Sequence, residues 1–417
     1  MKNPLAAGSG IRRVGWSLSS QIASNGSNFL LTVLVARAVS AADLGLFAIL
    51  MAVNGLVVGI VRGFTSEPMT FGEESVSHYE GVRRHNAVVG SSALLAGAVS
   101  LLLLPVIGLI TGNWILAATF TVAGALVGAQ DAIRFVLVST QRSRNALVLE
   151  CVWIAVQLPL IWLTYDRHSV AWLVLCWTIG ALCSVVYGIW CLRLSFSWRD
   201  CVSWIRDSFR IGLVYAFDYL LGGGIAQLVT FLVAAIAGLG AAGEYRGAQM
   251  LLMPLSILTL GLTFALSPEV ARMAGRSEFR RLRSVPAMYA TLIAVSGLVC
   301  VGTLSLLPSS VMTGLLGDAA PGASALLPSV ALATCLVSMG VGPGLVLRAI
   351  GKVKEAFVLK SVTAPMSIGA VIVGCIYFGV IGSQIGLAIV ACGRAVGMWV
   401  LMNRRMQTKF DVLKGAL

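Results

Sequence analysis

The sequence predicts an all-α integral membrane protein: about 12 transmembrane helices arranged as two six-helix lobes around a central cavity. Three observations lead there. The 417 residues are 58% hydrophobic and only 11% charged, with a mean hydropathy of +0.91, whereas a soluble domain is about half apolar and a quarter charged. Apolar stretches long enough to cross the hydrocarbon, which takes about 20 residues, follow one another almost end to end. Finally, segments about 200 residues apart resemble each other.

The runs decide between helix and barrel. Membrane β-strands read as alternating segments of about 10 residues. Stretches such as Ala93 to Ile110 are continuous and rich in Leu, Ala and Gly. Helices are expected at 15–37, 43–65, 86–110, 114–138, 146–165, 168–192, 209–237, 244–268, 286–308, 323–348, 355–378 and 380–403. The N-terminal Lys2, Arg12 and Arg13 lead directly into the first of these, with no small-residue cleavage pattern.

An even number of crossings puts both termini on one side, and the basic residues choose which. One set of loops carries Arg83, Arg84, Arg142, Arg144, Arg193, Arg199, Arg206, Arg210, Arg272, Arg276, Arg280, Arg281, Arg283, Lys352 and Lys354, with Arg404, Arg405, Lys409 and Lys414 in the tail. The opposite connections hold only Arg37, Arg167 and Arg246. Positive residues collect on the cytoplasmic side, so both termini are expected in the cytoplasm, the protein lying in a bacterial plasma (inner) membrane. The same asymmetry accounts for the net charge of +13 without nucleic acid as a partner. The nine cysteines contain no CxxC pair and fall mostly in apolar runs, as reduced thiols do.

The internal similarity pairs Val35–Asp43 with Ala235–Gly243, Ser66-Glu67-Pro68 with Ser267-Pro268-Glu269, and Gln141–Ala146 with Gly351–Ala356. In this reading the first pair connects helices one to two and seven to eight, the second ends helices two and eight, and the third opens helices five and eleven. The halves are therefore 1–200 and 201–417. Because six is even, they share one orientation in the membrane, an arrangement suited to opening a central site to either side.

Several polar residues stand where lipid contact would be costly. The first helix carries Ser17, Gln21, Ser24, Asn28 and Thr32 at helical spacing, with Asn25 beside them. Such a stripe lines a cavity or makes hydrogen bonds between helices. Asp218 lies well inside the seventh helix, before Gly222-Gly223-Gly224. It is a candidate ion- or proton-coupling carboxylate, or else the structural partner of Arg394. Arg37, Arg62, Arg134, Arg348 and Arg394 lie near or within helix ends. Asp131 and Arg134, three apart on one helix, can pair, and any single arginine can snorkel to headgroups. Taken together, guanidinium groups on a cavity wall suit a phosphate or diphosphate. No Walker A sequence occurs, and His78, His85 and His168 lack partners at metal-ligand spacing, so neither cofactor nor metal is expected. An enzyme acting on polyprenyl-linked sugars would need a large outer loop or soluble domain, and all the outer connections are short.

Some motifs carry a family resemblance. Ile11-Arg12-Arg13-Val14-Gly15-Trp16 leading to Ser19-Ser20-Gln21, the turn Ala36–Phe47, Arg62-Gly63-Phe64-Thr65-Ser66-Glu67-Pro68 and Gln130-Asp131-Ala132-Ile133-Arg134-Phe135 resemble the Wzx-type polysaccharide flippases. These are a branch of the MOP superfamily that also holds the MATE drug exporters and the lipid II flippases. The resemblance is clearest in residues 11–145 and weaker beyond residue 240. It implies a MOP/MATE-like fold and a flippase for undecaprenyl-diphosphate-linked oligosaccharide, serving O-antigen, capsule or exopolysaccharide synthesis. Its partners would be the lipid-linked oligosaccharide, membrane lipids, a polysaccharide polymerase and a chain-length regulator. The substrate-binding residues would be Arg37, Arg62, Arg134, Arg394, Gln21, Asn25 and Asn28, with Asp218 coupling the ion. A cation-coupled exporter of MATE type is the alternative.

Overall fold

The computed structural model describes residues 4–71, 76–140, 142–167, 169–276 and 278–415. Among these residues the fold is all helical. The helices are α1 (Pro4–Ala38), α2 (Ala41–Phe71), α3 (Gly81–Thr111), α4 (Trp114–Ser139), α5 (Ser143–Leu163), α6 (Val170–Leu192) and α7 (Trp198–Ala237). Next come α8, in two pieces (Leu239–Leu251 and Met253–Gly275), α9 (Phe279–Ser305) and α10, a broken stretch over Ser309–Ala349. The final stretch, Val353–Gly415, leaves helical geometry at Phe378 and Gly379, where Gly379 takes φ 64°. That turn divides it into α11 (353–377) and α12 (380–415).

Nine stretches among the described residues are long and apolar enough to cross a membrane. The last of them is the α11–α12 pair, so ten of the expected twelve crossings meet this measure, and the remaining two expected crossings correspond to the more polar α1 and α8. The short link at Gly379 holds because α11 and α12 meet backbone to backbone. A Cβ on Gly374 would lie 2.2 Å from the Gly382 carbonyl oxygen. Small residues that let helices approach are the usual currency of packing in lipid.

Helix ends differ from the sequence expectation in three places. Ser66-Glu67-Pro68 does not end α2, which continues to Phe71 with Pro68 inside it. Proline removes the N–H that would bond to the carbonyl four residues back, here that of Phe64. The Ser208 hydroxyl on α7 donates to that carbonyl at 2.7 Å, so the helix continues without an orphaned acceptor. Ser267-Pro268-Glu269 likewise lies within α8, which runs to Gly275. Helix α7 begins at Trp198 rather than near 209, because its first turns dock on the segment before α3.

Contacts divide the chain into two compact units: Met1–Val39 with Ile49–Gln227, and Ser40–Ala48 with Leu228–Leu417. This division differs from halves cut at residue 200, since α2 and α7 each contribute to both units.

In the first unit α3 packs on α4, α4 and α5 on α6, and α1 on α5. Gly124 and Gly128 of α4 leave room for Ser100, Ala96 and Ser92 of α3. Gly55, Gly59 and Gly63 of α2, spaced by four, face Gln227, Tyr219 and Ala216 of α7. The Tyr219 hydroxyl donates to the Gly55 carbonyl at 2.8 Å. In the second unit Val270, Leu282, Val346, Leu347, Met398 and Met402 form an apolar core. The starts of α2 and α8 also meet there. A Cβ on Gly45 would fall 1.8 Å from the Leu239 carbonyl oxygen, and one on Gly243 would fall 2.1 Å from that of Ala41. Ala41, Leu239 and Gly243 lie inside the two segments that the internal similarity aligns. All nine cysteines are unpaired, with Cys151 and Cys392 on exposed faces rather than buried.

Of Gly55, Gly59 and Gly63, Gly63 is the one that meets backbone rather than a side chain, since a Cβ there would sit 2.6 Å from the Ala216 backbone nitrogen. Gly63→Ala is expected to destabilise the protein by about 1–3 kcal/mol, the ordinary cost of overpacking. The thermal midpoint of detergent-solubilised protein measures it, with Gly26→Ala, which meets nothing within 4 Å, as the unperturbed control.

Candidate functional site

The first unit holds a buried ionic cluster built from four helices. Asp131 on α4 is at its centre. Arg62 on α2 grips it with two parallel bonds, Nε to Oδ2 at 2.9 Å and Nη2 to Oδ1 at 2.7 Å. Arg134, one turn along α4, donates Nη2 to the same Oδ1 at 2.9 Å. Its Nε lies 3.9 Å from Oε1 of Glu150 on α5, beyond hydrogen-bond range. Glu150, 2% exposed, instead takes a bond from Gln130 Nε2 at 3.0 Å and one from Ser24 of α1. Phe135 lies beneath the Arg62 guanidinium at 4.9 Å, a cation–π contact.

The local sequence explains this convergence. Gln130, Asp131 and Arg134 occupy adjacent positions on two turns of α4 and so reach neighbouring partners. Forked pairing is what a planar guanidinium does best with a carboxylate. The two carboxylates and two guanidiniums cancel when all are ionised. Glu150 is the less neutralised carboxylate, being held by an amide and a hydroxyl rather than by a close cation.

The other expected site residues fall as follows. The side chain of Gln21 lies outside the described residues. On α1, Asn25 is half-buried and Asn28 exposed. Thr32 is buried and donates to the Asn28 carbonyl at 2.7 Å, and Ser24 turns to Glu150, so part of the polar stripe serves helix packing. Arg37 is exposed in the last turn of α1, where a cation complements the helix dipole. Asp218 is half-buried in the first unit, immediately before Tyr219 and a π-helical turn at Leu220–Gly224. The glycine triplet thus reshapes α7, as the sequence allowed. Arg394 is half-buried on α12 in the second unit, with no ion pair among the described residues. The structure brings Arg62 and Arg134 together.

Three participants were not singled out as site residues in the sequence. Glu150 and Ser24 meet only across α1 and α5, and Gln130 was noted only as the residue before Asp131. Arg246 is also reassigned: it lies inside α8 rather than in an outer connection. Its Nε is buried without a hydrogen-bond partner among the described residues. Neighbouring Tyr245 is buried and bonds Gln249 and Gln384.

The family model described as "polysaccharide biosynthesis protein" matches residues 11–274. The chain belongs to the polysaccharide biosynthesis protein family. That region includes the whole ionic cluster, Asp218 and Arg246. No curated protein sequence matches the chain. Among solved structures, an inward-facing multidrug resistance MATE transporter of the MOP superfamily superposes with a TM-score of 0.66 at 13% identity, covering 95% of this chain and 94% of the other. The outward-facing conformation of such a transporter gives 0.64 at 13%, covering 95% of both chains. A MOP superfamily transporter from Pyrococcus furiosus, described as having a binding pocket of reversed polarity, gives 0.61 at 12%, again with 95% of both covered. These likenesses establish the fold: this family member is a multi-pass membrane protein with the two-lobed architecture of MOP transporters.

The cluster predicts unequal costs on substitution. Asp131→Asn strands two guanidiniums, and breaking a buried pair costs about 3–5 kcal/mol. Glu150→Gln keeps an acceptor for Gln130 and Ser24 and should leave folding nearly unchanged. Membrane abundance and thermal midpoint should fall for the first variant and hold for the second.

Proposed function

We propose that the protein is a flippase that moves undecaprenyl-diphosphate-linked oligosaccharide from the inner to the outer leaflet by alternating access. It would supply O-antigen, capsule or exopolysaccharide synthesis. The observation that carries this reading is a polysaccharide biosynthesis family carried on a transporter's fold. Polysaccharide units assembled on a lipid carrier must cross the bilayer with a charged diphosphate. Arg37, Arg62, Arg134 and Arg394 are the proposed headgroup contacts, with Gln21, Asn25 and Asn28 offering hydrogen bonds to sugar or phosphate. Asp218 is the proposed coupling group. The lipid-linked oligosaccharide and membrane lipids are its partners in this reading, with a polymerase and chain-length regulator acting on the product. The protein would lie in the inner membrane with both termini in the cytoplasm.

The neutral balance of the Arg62–Asp131–Arg134–Glu150 cluster favours keeping a second reading. A MATE-like, cation-coupled exporter also fits a site whose charge depends on one carboxylate.

Alanine variants of the four arginines should accumulate lipid-linked oligosaccharide on the inner leaflet. They should lose surface glycan by about tenfold or more, since a charged hydrogen bond is worth about 1.5–3 kcal/mol. Lysine variants should retain part of the activity. Arg62→Ala and Arg134→Ala also unpair Asp131, so abundance must be measured with export. Arg37→Ala and Arg394→Ala carry no such penalty from the cluster. Normal export by all four at normal abundance would sink the diphosphate reading. Asp218→Asn should abolish export at unchanged abundance. For topology, a cysteine at position 281 should resist an impermeant reagent in intact spheroplasts, and its labelling would reverse the orientation.

A further inference from the structure

The first turns of α7 carry a feature that the transport reading does not use. Helix α7 is 40 residues long, Trp198–Ala237. At about 1.5 Å per residue it spans about 60 Å, roughly twice the hydrocarbon thickness. About half of it therefore has to run through the headgroup layer or beyond, and the sequence from Trp198 to Phe217 is patterned accordingly.

One face of this segment is fixed to the body of the first unit. Ser197 caps the helix, its hydroxyl accepting from the Asp200 N–H at 3.4 Å. Asp200 pairs with Arg83 at 2.8 Å. Tyr79, fully buried, donates to Asp207 at 3.1 Å and meets the Trp204 ring edge-on at 5.0 Å. Burial, and after it the Asp207 carboxylate, push the Tyr79 phenol above its ordinary range. Ser208 is buried and bonds Phe64, as described above. These contacts fix the rotation of the helix, so the direction of its other faces is determined.

The opposite face is apolar and uncovered. Val202, Phe209, Leu213 and Phe217 are all exposed, and Ile205 is partly so. They recur at three- and four-residue spacing and form one stripe. Beside the stripe runs a second one, of Arg199, Arg206 and Arg210. Spacings of seven and four residues place these three within about 40° of each other around the helix. All three are exposed, Arg206 at 77% of its side chain. Arg206 touches only its neighbour Asp207, at 3.2 Å, and neither Arg199 nor Arg210 has an ion pair among the described residues. Val202, Ile205, Arg206, Phe209 and Arg210 together line a surface crevice of about 430 Å³. Exposed Trp190, Phe196 and Trp198 cluster at this same end of α6 and α7, the position of an interfacial aromatic belt.

An apolar strip beside a row of three guanidiniums, of which Arg206 alone has a carboxylate neighbour, matches an amphiphile whose head is anionic. We propose that the N-terminal turns of α7 form a binding site for an anionic phospholipid of the adjoining leaflet. Its acyl chains lie along Phe209, Leu213 and Phe217, toward the hydrocarbon, and its phosphate is held by Arg206 and Arg210, with Arg199 beside them. Charge selects the occupant. A zwitterionic lipid would cover the apolar strip equally well and would leave Arg199 and Arg210 unbalanced in the headgroup layer, where anionic lipids attract basic residues. The site is independent of what the protein transports.

The test is lipid retention by the purified full chain. Native mass spectrometry from detergent compares phosphatidylglycerol with phosphatidylcholine of the same acyl chains, for wild type and the double variant Arg206→Gln/Arg210→Gln. Wild type should prefer phosphatidylglycerol. The double variant should bind it about 30-fold more weakly, the effect of removing two basic residues at an anionic surface. Its phosphatidylcholine binding should be unchanged. Arg206→Lys/Arg210→Lys should keep the preference, because charge is what is read. The single Gln variants, each with a smaller loss in the same direction, carry the test if the double variant does not accumulate. Equal retention of the two lipids by wild type, or unchanged phosphatidylglycerol binding in the Gln variants, would overturn the proposal and leave the strip as ordinary lipid-facing surface.

Discussion

Asp131 is the pivot of the first unit. A carboxylate this deep is tolerable only when cations close around it, because an unpaired buried charge costs several kcal/mol even after the protein relaxes. Arg62 reaches it from α2 and Arg134 from its own helix. The position of α2 against α4 is therefore set by a fork that accepts little variation in angle. Helix α5 follows through Glu150 and Gln130, and α1 through Ser24. The close fit of α2 on α7 uses the glycine face at 55, 59 and 63. Apolar side chains alone would let these helices slide in lipid, where no hydrophobic force favours one rotation over another. The ionic cluster supplies the missing specificity of rotation.

The same arrangement changes what the arginines can do. A row of guanidiniums read from the sequence suggested a cationic surface for a diphosphate. In the folded chain two of them are already committed to a carboxylate within the protein. Any anion that binds there has to compete with Asp131 or exploit the looser hold on Glu150. The two carboxylates offset the two guanidiniums, so the cluster is not a bare cationic surface.

Much of the fold was legible. Twelve apolar runs, the short turns at Gly112 and Gly379 and the three-residue spacing of Asp131 and Arg134 are local features, and local features survive in a sequence. Helix ends fared worse where a distant residue compensated a local breaker. Pro68 reads as a stop until Ser208, 140 residues later, satisfies the carbonyl it frees. The start of α7 reads as a basic loop until Tyr79 and Arg83 are seen to hold it. The site was legible only in part for the same reason. Arg62 and Asp131 are 69 residues apart and Gln130 and Glu150 are 20 apart, and no periodicity announces either meeting. The α2 glycines at four-residue spacing were visible and could have pointed to a close helix partner, though not to which one.

The π-helical turn at Leu220–Gly224 has a consequence for how α7 is wound. A π turn accommodates one residue more than an α turn over the same rise, so everything beyond it is advanced in phase by about 100°, the angle between successive residues of an α-helix. Gln227 is the last residue grouped with the first unit and Leu228 the first grouped with the second. The glycine triplet therefore works as a phase shifter just upstream of the handover. It lets the residues that pack on α2 and those that pack in the second unit be chosen on independent angular settings. Removing a single glycine would return this turn to α geometry over the same rise, so residues 225–237 would keep the flanks they present, whereas losing one residue elsewhere in α7 would rotate all of them by about 100°.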